Sequence, residues 1–196
     1  MALEFRETFQ VGAPVDSVWH LLLDPSQVVL CMPGASLLGA EDERTYLGQV
    51  LAKVGPVTTT YVGRATFTEV DHVAHRARIV GEGKEGSGGG SARMTIVIDV
   101  RALSAGTEVE LSLSVDVVGR VMQLGRGMLE SVARQLLRRF IECIRGKLEA
   151  LSAKRVIATE VTEATPSPAP LRPVQLMYRA FIEWLLTAVL RRQAPR

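Results

Sequence analysis

The spacing of hydrophobic and polar residues at the start of the chain changes from a strand-like to a helix-like period. Residues 3–11 alternate between apolar and polar side chains, which predicts a first strand. From Val15 the apolar residues recur at helical spacing, and this predicts a helix that ends before Pro25. Ser26 is then predicted to cap a second, short helix that runs to about Cys31.

The middle of the chain predicts an antiparallel sheet. Two runs rich in β-formers, 45–54 and 57–70, flank the turn dipeptide Gly55-Pro56. Two later runs, 93–102 and 108–117, alternate almost strictly between apolar and polar residues. Such alternation is typical of antiparallel strands that have one covered face. We expect five or six strands here, in addition to the first.

The segment 83–91 interrupts this pattern because it consists largely of glycine and serine. That composition predicts a flexible hairpin tip or loop and not a strand. It does not fit a phosphate-binding loop, because Lys84 precedes most of the glycines instead of following them. A flap that contacts a partner enzyme is the functional alternative.

Residues 121–151 change to a period of 3.6 and predict one long helix with an apolar stripe and a charged face. At 1.5 Å per residue such a helix is roughly 45 Å long, enough to cross a whole sheet. The predicted fold class is therefore α+β, a curved antiparallel sheet wrapped around a long C-terminal helix. A strongly curved sheet of this kind can leave an apolar cavity beneath the helix.

The amino-acid composition excludes several classes of protein to which the chain could belong. Of 196 residues, 47% are hydrophobic and only 5% are aromatic, and the net charge is +2. These values exclude a disordered chain and argue against a nucleic-acid-binding protein. The charge is uneven, however: it is −2 over residues 1–150, zero over 151–171 and +4 over 172–196. A basic end of this kind predicts a tail with a role of its own.

The candidate metal ligands and nucleophiles do not form a recognisable motif. No targeting segment precedes the first strand, so we expect a cytoplasmic protein in which Cys31 and Cys143 are reduced thiols. His20, His72 and His75 lack the further ligands that a closed metal site needs, and we interpret them as solvated surface residues. The sequence thus predicts neither a metal site nor catalytic residues.

The basic end of the chain predicts a separate helix. Residues 152–172 contain alternating prolines and are interpreted as a linker, whereas 173–192 form an almost wholly apolar run with one narrow polar stripe. Three interpretations are open: the helix lies in a membrane interface, it packs on its own domain or inserts into that domain's cavity, or it crosses a bilayer. The predicted membrane-binding residues are aromatic, apolar and basic: Tyr178, Phe181, Trp184, Leu185, Arg191 and Arg192.

Short motifs in the first three quarters of the chain resemble those of one family. The resemblance is to the CoxG-like family, named after the CoxG subunit of carbon monoxide dehydrogenase, in the START-related (SRPBCC) helix-grip superfamily. It covers about residues 3–150. The motifs occur in the family's order and are Phe9-Gln10-Val11-Gly12-Ala13-Pro14, Val18-Trp19, Asp24-Pro25, Cys31-Met32-Pro33-Gly34, Tyr46-Leu47-Gly48, Lys53-Val54-Gly55-Pro56, Gly63, Val118-Gly119 and Leu124-Gly125.

The resemblance implies a helix-grip domain with a hydrophobic cavity and no catalytic machinery of its own. It also implies an accessory protein that tethers a molybdenum hydroxylase of the carbon monoxide dehydrogenase type to the inner face of the cytoplasmic membrane. The implied ligand is a lipophilic small molecule, a quinone such as menaquinone. Two other interpretations are a cyclase or aromatase of the same fold, which would need a polar pair inside the cavity, and a stand-alone lipid-binding module.

The cavity lining can be predicted residue by residue from the apolar positions. The alternative for each is that it simply forms part of the core. The predicted lining residues are Trp19, Leu22, Met32, Leu47, Tyr61, Phe67, Met94, Ile96, Leu113, Val117, Met122, Leu129, Val132 and Leu136.

Overall fold

The computed structural model describes residues 2–55 and 57–162, with side chains for 3–55 and 57–151. The chain divides after Val156, and the sheet belongs to the unit before that boundary. The predicted tail helix and its membrane-binding residues lie outside the described residues.

A curved antiparallel sheet forms the body of this unit and confirms the predicted fold class. Its seven strands lie in the order β1-β7-β6-β5-β4-β3-β2, so the first strand pairs with the last. Every other neighbouring pair is consecutive in sequence. The strands are β1 Ala2–Val11, β2 Ala35–Ala40, β3 Thr45–Val54, β4 Val57–Asp71, β5 Arg76–Glu85, β6 Ser91–Leu103 and β7 Gly106–Val118.

Two short helices follow β1 and one long helix follows β7. Helix α3 continues beyond residue 151 to Thr162, into the segment that the sequence predicted as a linker. The helices are α1 Val15–Leu22, α2 Pro25–Val28 and α3 Arg126–Thr162, with 3-10 helices at Val29–Cys31 and Arg120–Leu124.

The start of α2 corrects one prediction. Its N-cap is Asp24 and not Ser26, because the Asp24 carboxylate accepts hydrogen bonds from the backbone N–H groups of Ser26 and Gln27. The Ser26 hydroxyl donates to the same Asp24 oxygen. Both residue types are good caps, so the sequence alone did not decide between neighbours two positions apart.

The glycine-rich segment is shorter than predicted. Strand β5 extends to Glu85 and β6 begins at Ser91, so only residues 86–90 form the turn. Gly83 and Lys84, which were predicted to lie in the loop, instead pair with Ala92 and Ser91. Pairing with a neighbouring strand has outweighed the low strand propensity of glycine.

The cysteines are not free thiols, which corrects another prediction. Cys31 and Cys143 form a disulfide that joins the 3-10 helix after α2 to α3. Their Cα atoms lie 5.4 Å apart, a separation that suits a disulfide. A sequence separation of 112 residues gave no sign of this proximity.

Helix α3 is held against the sheet by two apolar clusters. In one, the buried Ile144 and Leu148 of α3 pack with α1 and with β6 and β7. In the other, Leu129 at the start of α3 packs with Leu3 and Phe5 of β1. Burying an aliphatic side chain as completely as Ile144 contributes about 1.5–3 kcal/mol to folding.

Candidate functional site

The strand register divides the sheet residues between two faces. Directly paired residues in an antiparallel ladder share a face, and the row Leu3–Val115–Met94–Gly81 begins at a residue packed against α3. We call the face of this row the concave face and the opposite one the outer face.

Small residues form a hollow on the concave face. Gly48, Gly63, Gly83 and Ala92 pair one with the next across β3, β4, β5 and β6, so this row carries almost no side-chain volume. Gly81 pairs with Ala65 in the adjacent row. The same rows would fill the space below the helix if they carried large side chains. We call this region the concave-face hollow.

Apolar side chains around the hollow remain partly exposed. Leu37 on β2 and Val50 on β3 are each 39% exposed, although both belong to the concave face. Leu136, in the N-terminal third of α3, is 41% exposed. The aromatic rings of Tyr46 and Phe67 meet edge to face near the same rows, with centroids 6.0 Å apart. The β2–β4 side of the concave face therefore presents a partly exposed apolar surface, which we call the apolar cleft.

A buried polar cluster borders the hollow. Tyr61 pairs directly with Glu85, and Tyr61 lies two positions from Gly63 on the same face. Glu85 is 7% exposed, and its Oε1 accepts a 2.7 Å hydrogen bond from the Thr59 hydroxyl. Tyr61 Oη is buried and lacks a hydrogen-bond partner among the described residues, whereas Glu85 Oε2 is buried against the 86–90 turn, close to Ser87 and the Arg120 guanidinium. A buried polar group without a partner costs on the order of 1–3 kcal/mol, so the cluster calls for an explanation.

The electrostatics of the cluster keep Glu85 ionised and Tyr61 neutral. The hydrogen bond from Thr59 lowers the pKa of Glu85, and Ser87 and the Arg120 guanidinium lower it further. Burial raises the pKa of Tyr61, and the negative charge of Glu85 adds to that effect. Arg120 Nη2 also donates to Ser87 Oγ at 3.1 Å, which ties the glycine-rich turn to the 3-10 helix before α3.

Most predicted cavity residues lie on the helix side of the sheet, but not in one place. Trp19 and Leu22 are fully buried in the cluster around α1, with Ile96 packed against it. Met32 is half-buried beside the disulfide, Leu136 is exposed, and Phe67 and Met94 line the concave face. The remaining predicted residues on this side belong to the second cluster: Tyr61, Leu113, Val117, Met122, Leu129 and Val132.

Leu47 lies on the wrong face for a cavity residue. It pairs with Arg64, whose partner Glu82 is paired in turn with Arg93, and this charged row belongs to the outer face. Leu47 is 39% exposed there. Its neighbour Tyr46 occupies the concave face, since a shift of one residue along a strand reverses the side chain.

Of the three histidines that were predicted to be solvated, His20 and His72 are exposed and His75 is half-buried, but His72 and His75 also contact a buried tryptophan. Trp19 Nε1–H donates a 3.2 Å hydrogen bond to His72 Nδ1. The rings of His72 and His75 both meet the Trp19 ring edge-on. His75 Nε2 lies 3.7 Å from the Asp16 carboxylate of α1. The β4–β5 turn thus anchors α1, and Trp19 is fixed in the core instead of lining the hollow.

The outer face carries a polar concavity of about 380 Å³, which is lined mainly by charged and hydroxyl side chains, including Asp42, Thr66 and Arg93. The Glu82 carboxylate lies 3.7 Å from the Arg64 guanidinium and 3.2 Å from the Arg93 guanidinium, and these two groups balance its negative charge. This surface does not suit a lipophilic ligand.

The described part of the chain contains no cluster of three or more His, Cys, Asp or Glu residues that could hold a metal ion. Nor does any helix within those residues combine the length and hydropathy that a membrane span requires.

The family model for CoxG, a carbon monoxide dehydrogenase subunit, matches residues 8–149. The chain belongs to the CoxG family. The resemblance drawn from the short motifs is therefore confirmed. A comparison with curated proteins finds no match.

Solved structures show that the CoxG-family domain has a START-like, helix-grip fold. A conserved protein from Geobacillus kaustophilus is 24% identical with a TM-score of 0.68, over 76% of this chain and 96% of that one. The Zhui aromatase/cyclase from Streptomyces sp. R1128 is 19% identical with a TM-score of 0.54, over 76% of this chain and 94% of that one. A START superfamily protein from Mycobacterium smegmatis is 12% identical with a TM-score of 0.53, over 76% of this chain and 98% of that one.

Proposed function

We propose that this CoxG-family protein binds a quinone, such as menaquinone, in the concave-face hollow. We further propose that it recruits a molybdenum hydroxylase of the carbon monoxide dehydrogenase type to the cytoplasmic membrane. The family name supports an accessory role beside that enzyme. One observation carries the ligand-binding part: a row of glycine and alanine on the concave face, near apolar side chains that stay partly exposed.

The shape and chemistry of the cleft favour a flat, apolar ligand. The row carries no side chain larger than that of alanine, and the residues around it are aliphatic and aromatic. Binding sites of this type are mostly apolar with few polar groups. The isoprenoid tail of a quinone would gain from leaving water, at about 25 cal/mol per Å² of apolar surface buried.

The ligand is tested by extraction of the purified full-length protein. Organic extraction followed by mass spectrometry is expected to yield a stoichiometric isoprenoid quinone from the native protein. A matched preparation of a variant with a filled hollow, Gly83→Val, is expected to yield far less. Equal lipid in both preparations, or none in either, would count against the proposal.

The tail is the proposed membrane anchor. Residues 172–196 carry a net charge of +4 next to an apolar run, a combination that binds anionic lipid surfaces. The full chain is expected to float with vesicles of three parts phosphatidylcholine to one part phosphatidylglycerol, and a chain ending at residue 171 is expected to stay in solution. Higher ionic strength should weaken the attachment. Flotation of the truncated chain would exclude the tail as the anchor.

The partner is tested by affinity capture. The full-length protein is expected to retain large molybdenum, flavin and iron–sulfur subunits from its native cell extract, measured by mass spectrometry and metal content. Release of those subunits into the soluble fraction on deletion of residues 172–196 would support recruitment. Their continued membrane association without the tail would contradict it.

A cyclase or aromatase activity is the second candidate, and one observation favours it. The pair Tyr61 and Glu85 provides a neutral hydroxyl and a carboxylate inside the concave face, the kind of polar pair that such an enzyme requires. The extracted ligand distinguishes the two candidates. Recovery of the bound molecule unchanged after prolonged incubation supports a binding protein, and its conversion to a new product supports an enzyme.

A further inference from the structure

Residues 25–31, which form α2 and the 3-10 helix after it, are anchored to the domain through one cysteine. We call them the front segment. Among the described residues of this segment, Cys31 is the one that is buried, at 3% exposed. Its sulfur is bonded to Cys143 of α3. A segment with so few buried contacts has little local stability of its own, so its position depends on the disulfide.

A second link between the front segment and α3 lies at the surface. Lys147 Nζ donates to the backbone oxygen of Gln27 at 3.1 Å and to its side-chain oxygen at 2.9 Å, and both bonds are exposed. Such bonds compete with water and add little stability. Helix α3 itself is held in the core by the buried Ile144 and Leu148. Cleavage of the disulfide is therefore expected to free the front segment and to leave α3 in place.

The front segment continues directly into the edge of the apolar cleft. Residues 32–34 join it to β2, the outermost strand on that side of the sheet. The Gly34 carbonyl accepts a 2.8 Å hydrogen bond from the Leu51 N–H, which fixes this connection to β3. Leu30 in the front segment is 70% exposed, and Leu37 on β2 is 39% exposed. A movement of the front segment thus changes the edge of the cleft.

Cys143 is the more accessible half of the disulfide, because it is half-buried whereas Cys31 is buried. A Cβ added at Gly146, one turn further along α3, would meet no described atom within 4 Å, so there is open space at that position. Arg139 and Lys147 lie four residues before and after Cys143, on the same side of the helix. Thiol–disulfide exchange proceeds through a thiolate, which these cations attract.

A permanent disulfide does not fit the cytoplasm. Glutathione and dithiol proteins keep thiols reduced there, and the disulfides that do form are mostly transient or redox-sensing. The proposed recruitment of a hydroxylase to the cytoplasmic membrane places this domain in that compartment. Cys31 and Cys143 are then expected to pass between the bonded and the reduced form.

We propose that Cys31 and Cys143 form a redox latch, in which the disulfide holds the front segment against α3 and exchange with a cellular dithiol releases it. A thiolate of the dithiol attacks the Cys143 sulfur, and Cys31 leaves as a thiolate. The second thiol of the dithiol then breaks the mixed disulfide. Two electrons and two protons pass to the protein, which ends with two thiols, and the dithiol ends as a disulfide. Glutathione disulfide reverses the reaction and is itself reduced to two glutathione thiols.

This inference rests on the cytoplasmic location in the proposed function and adds regulation to it. A redox titration tests the exchange directly. The full-length protein is equilibrated with mixtures of reduced and oxidised glutathione, alkylated with N-ethylmaleimide and weighed by mass spectrometry. The chain has two cysteines, so its mass reports the state of this pair.

We expect reversible conversion, with both forms populated across the glutathione ratios of the cytoplasm. A protein that stays oxidised at every ratio has a structural disulfide, and one that is never oxidised has no latch. Either result would overturn the inference. Failure of the proposed recruitment appears instead in the affinity capture and does not alter this titration.

Hydrogen–deuterium exchange tests the release of the front segment. Backbone amides of residues 25–34 should exchange at least about tenfold faster in the reduced protein, whereas those of β6 and β7 should keep their rates. The double variant Cys31→Ser with Cys143→Ser should match the reduced protein and should not respond to glutathione. Equal exchange of residues 25–34 in the two redox forms would overturn the release.

The contribution of the cations is tested by the rate at which glutathione reduces the disulfide. Arg139→Gln should slow this reaction about threefold, because the attacking thiolate loses an attractive charge. Arg138→Gln is the matched control, since it removes the neighbouring charge on a different side of the helix. Equal rates in the two variants would overturn the role of Arg139 in the exchange.

Discussion

At the scale of single residues, the neighbouring strand requires glycine at position 63. A Cβ there would overlap the carbonyl oxygen of Glu82 and the Cα of Gly83 on β5. Both contacts are with backbone atoms, which cannot move aside as the end of a flexible side chain can. The close approach of β4 to β5 at this point also places Tyr61 and Glu85 together, so the glycine supports the candidate site.

Gly63→Ala is therefore expected to destabilise the protein by roughly 1–3 kcal/mol. Gly127→Ala is the matched control, because Gly127 lies in α3 with no atom within 4 Å of its added Cβ. That substitution should stabilise the protein by about 0.5–1 kcal/mol. Urea unfolding followed by circular dichroism measures both changes. A Gly63→Ala protein with an unchanged free energy of unfolding would contradict the close contact between position 63 and the β5 backbone.

Glu85 is expected to make stability depend on pH in the acid range. Its pKa in the folded protein is lowered from the ordinary value of 4.5, chiefly by the Thr59 hydrogen bond. The ionised group therefore stabilises the fold above pH 4.5, and this contribution is lost as the pH falls through the folded-state pKa. Glu85→Gln retains the shape and the acceptor oxygen but does not titrate.

The free energy of unfolding of the native protein should thus exceed that of Glu85→Gln at about pH 7, with the difference shrinking as the pH is lowered below 4.5. Denaturant titrations at several pH values give this difference directly. Glu82→Gln, on the exposed outer face of the same strand, is the control. A difference that stays constant down to the most acidic pH at which the protein folds would rule out the depressed pKa.

At the scale of secondary-structure elements, the disulfide between Cys31 and Cys143 joins the 3-10 helix after α2 to α3. It closes a loop that contains the whole sheet except β1, and closing a long loop restricts the unfolded chain. The same link holds the front helices against the middle of α3. Lys147 reinforces the contact by donating to the side chain and backbone of Gln27.

Reduction of this disulfide should lower the free energy of unfolding by about 2–5 kcal/mol. The variant Cys31→Ser with Cys143→Ser should be destabilised to a similar extent and should not respond to a reductant. Thermal unfolding with and without dithiothreitol tests both statements. If the reductant has no effect on the native protein, the two cysteines are not bonded in solution.

Most of these elements could be predicted from the sequence, and the exceptions share a physical cause. Alternation predicted the strands well where one face is buried and the other polar, as in β6 and β7. It missed the end of β5, where Gly83 faces the hollow and carries no side chain to show a periodicity. The Tyr61–Glu85 pair was missed for the same reason: the two residues become neighbours only through the ladder between β4 and β5.

At the scale of the whole molecule, the helix-grip fold packs α3 against a curved antiparallel sheet. The family motifs predicted this fold correctly. The position of the hollow could not be predicted, because it depends on which glycines pair across strands and on how far α3 leaves the β2–β4 side uncovered. This is also why Trp19 and Leu47, both apolar positions at regular spacing, lie away from the hollow.

Binding of a neutral quinone in the hollow is the central claim, and a single titration tests it most directly. Gly83→Val adds a side chain to the floor of the hollow, where the nearest atom to a new Cβ is 3.5 Å away. Glu82→Val places the same side chain on the outer face of the same strand. The dissociation constant of 2,3-dimethyl-1,4-naphthoquinone is measured for each full-length protein, with circular dichroism to verify folding. We predict at least a tenfold loss of affinity in Gly83→Val and none in Glu82→Val; equal affinity in a folded Gly83→Val protein would contradict the claim.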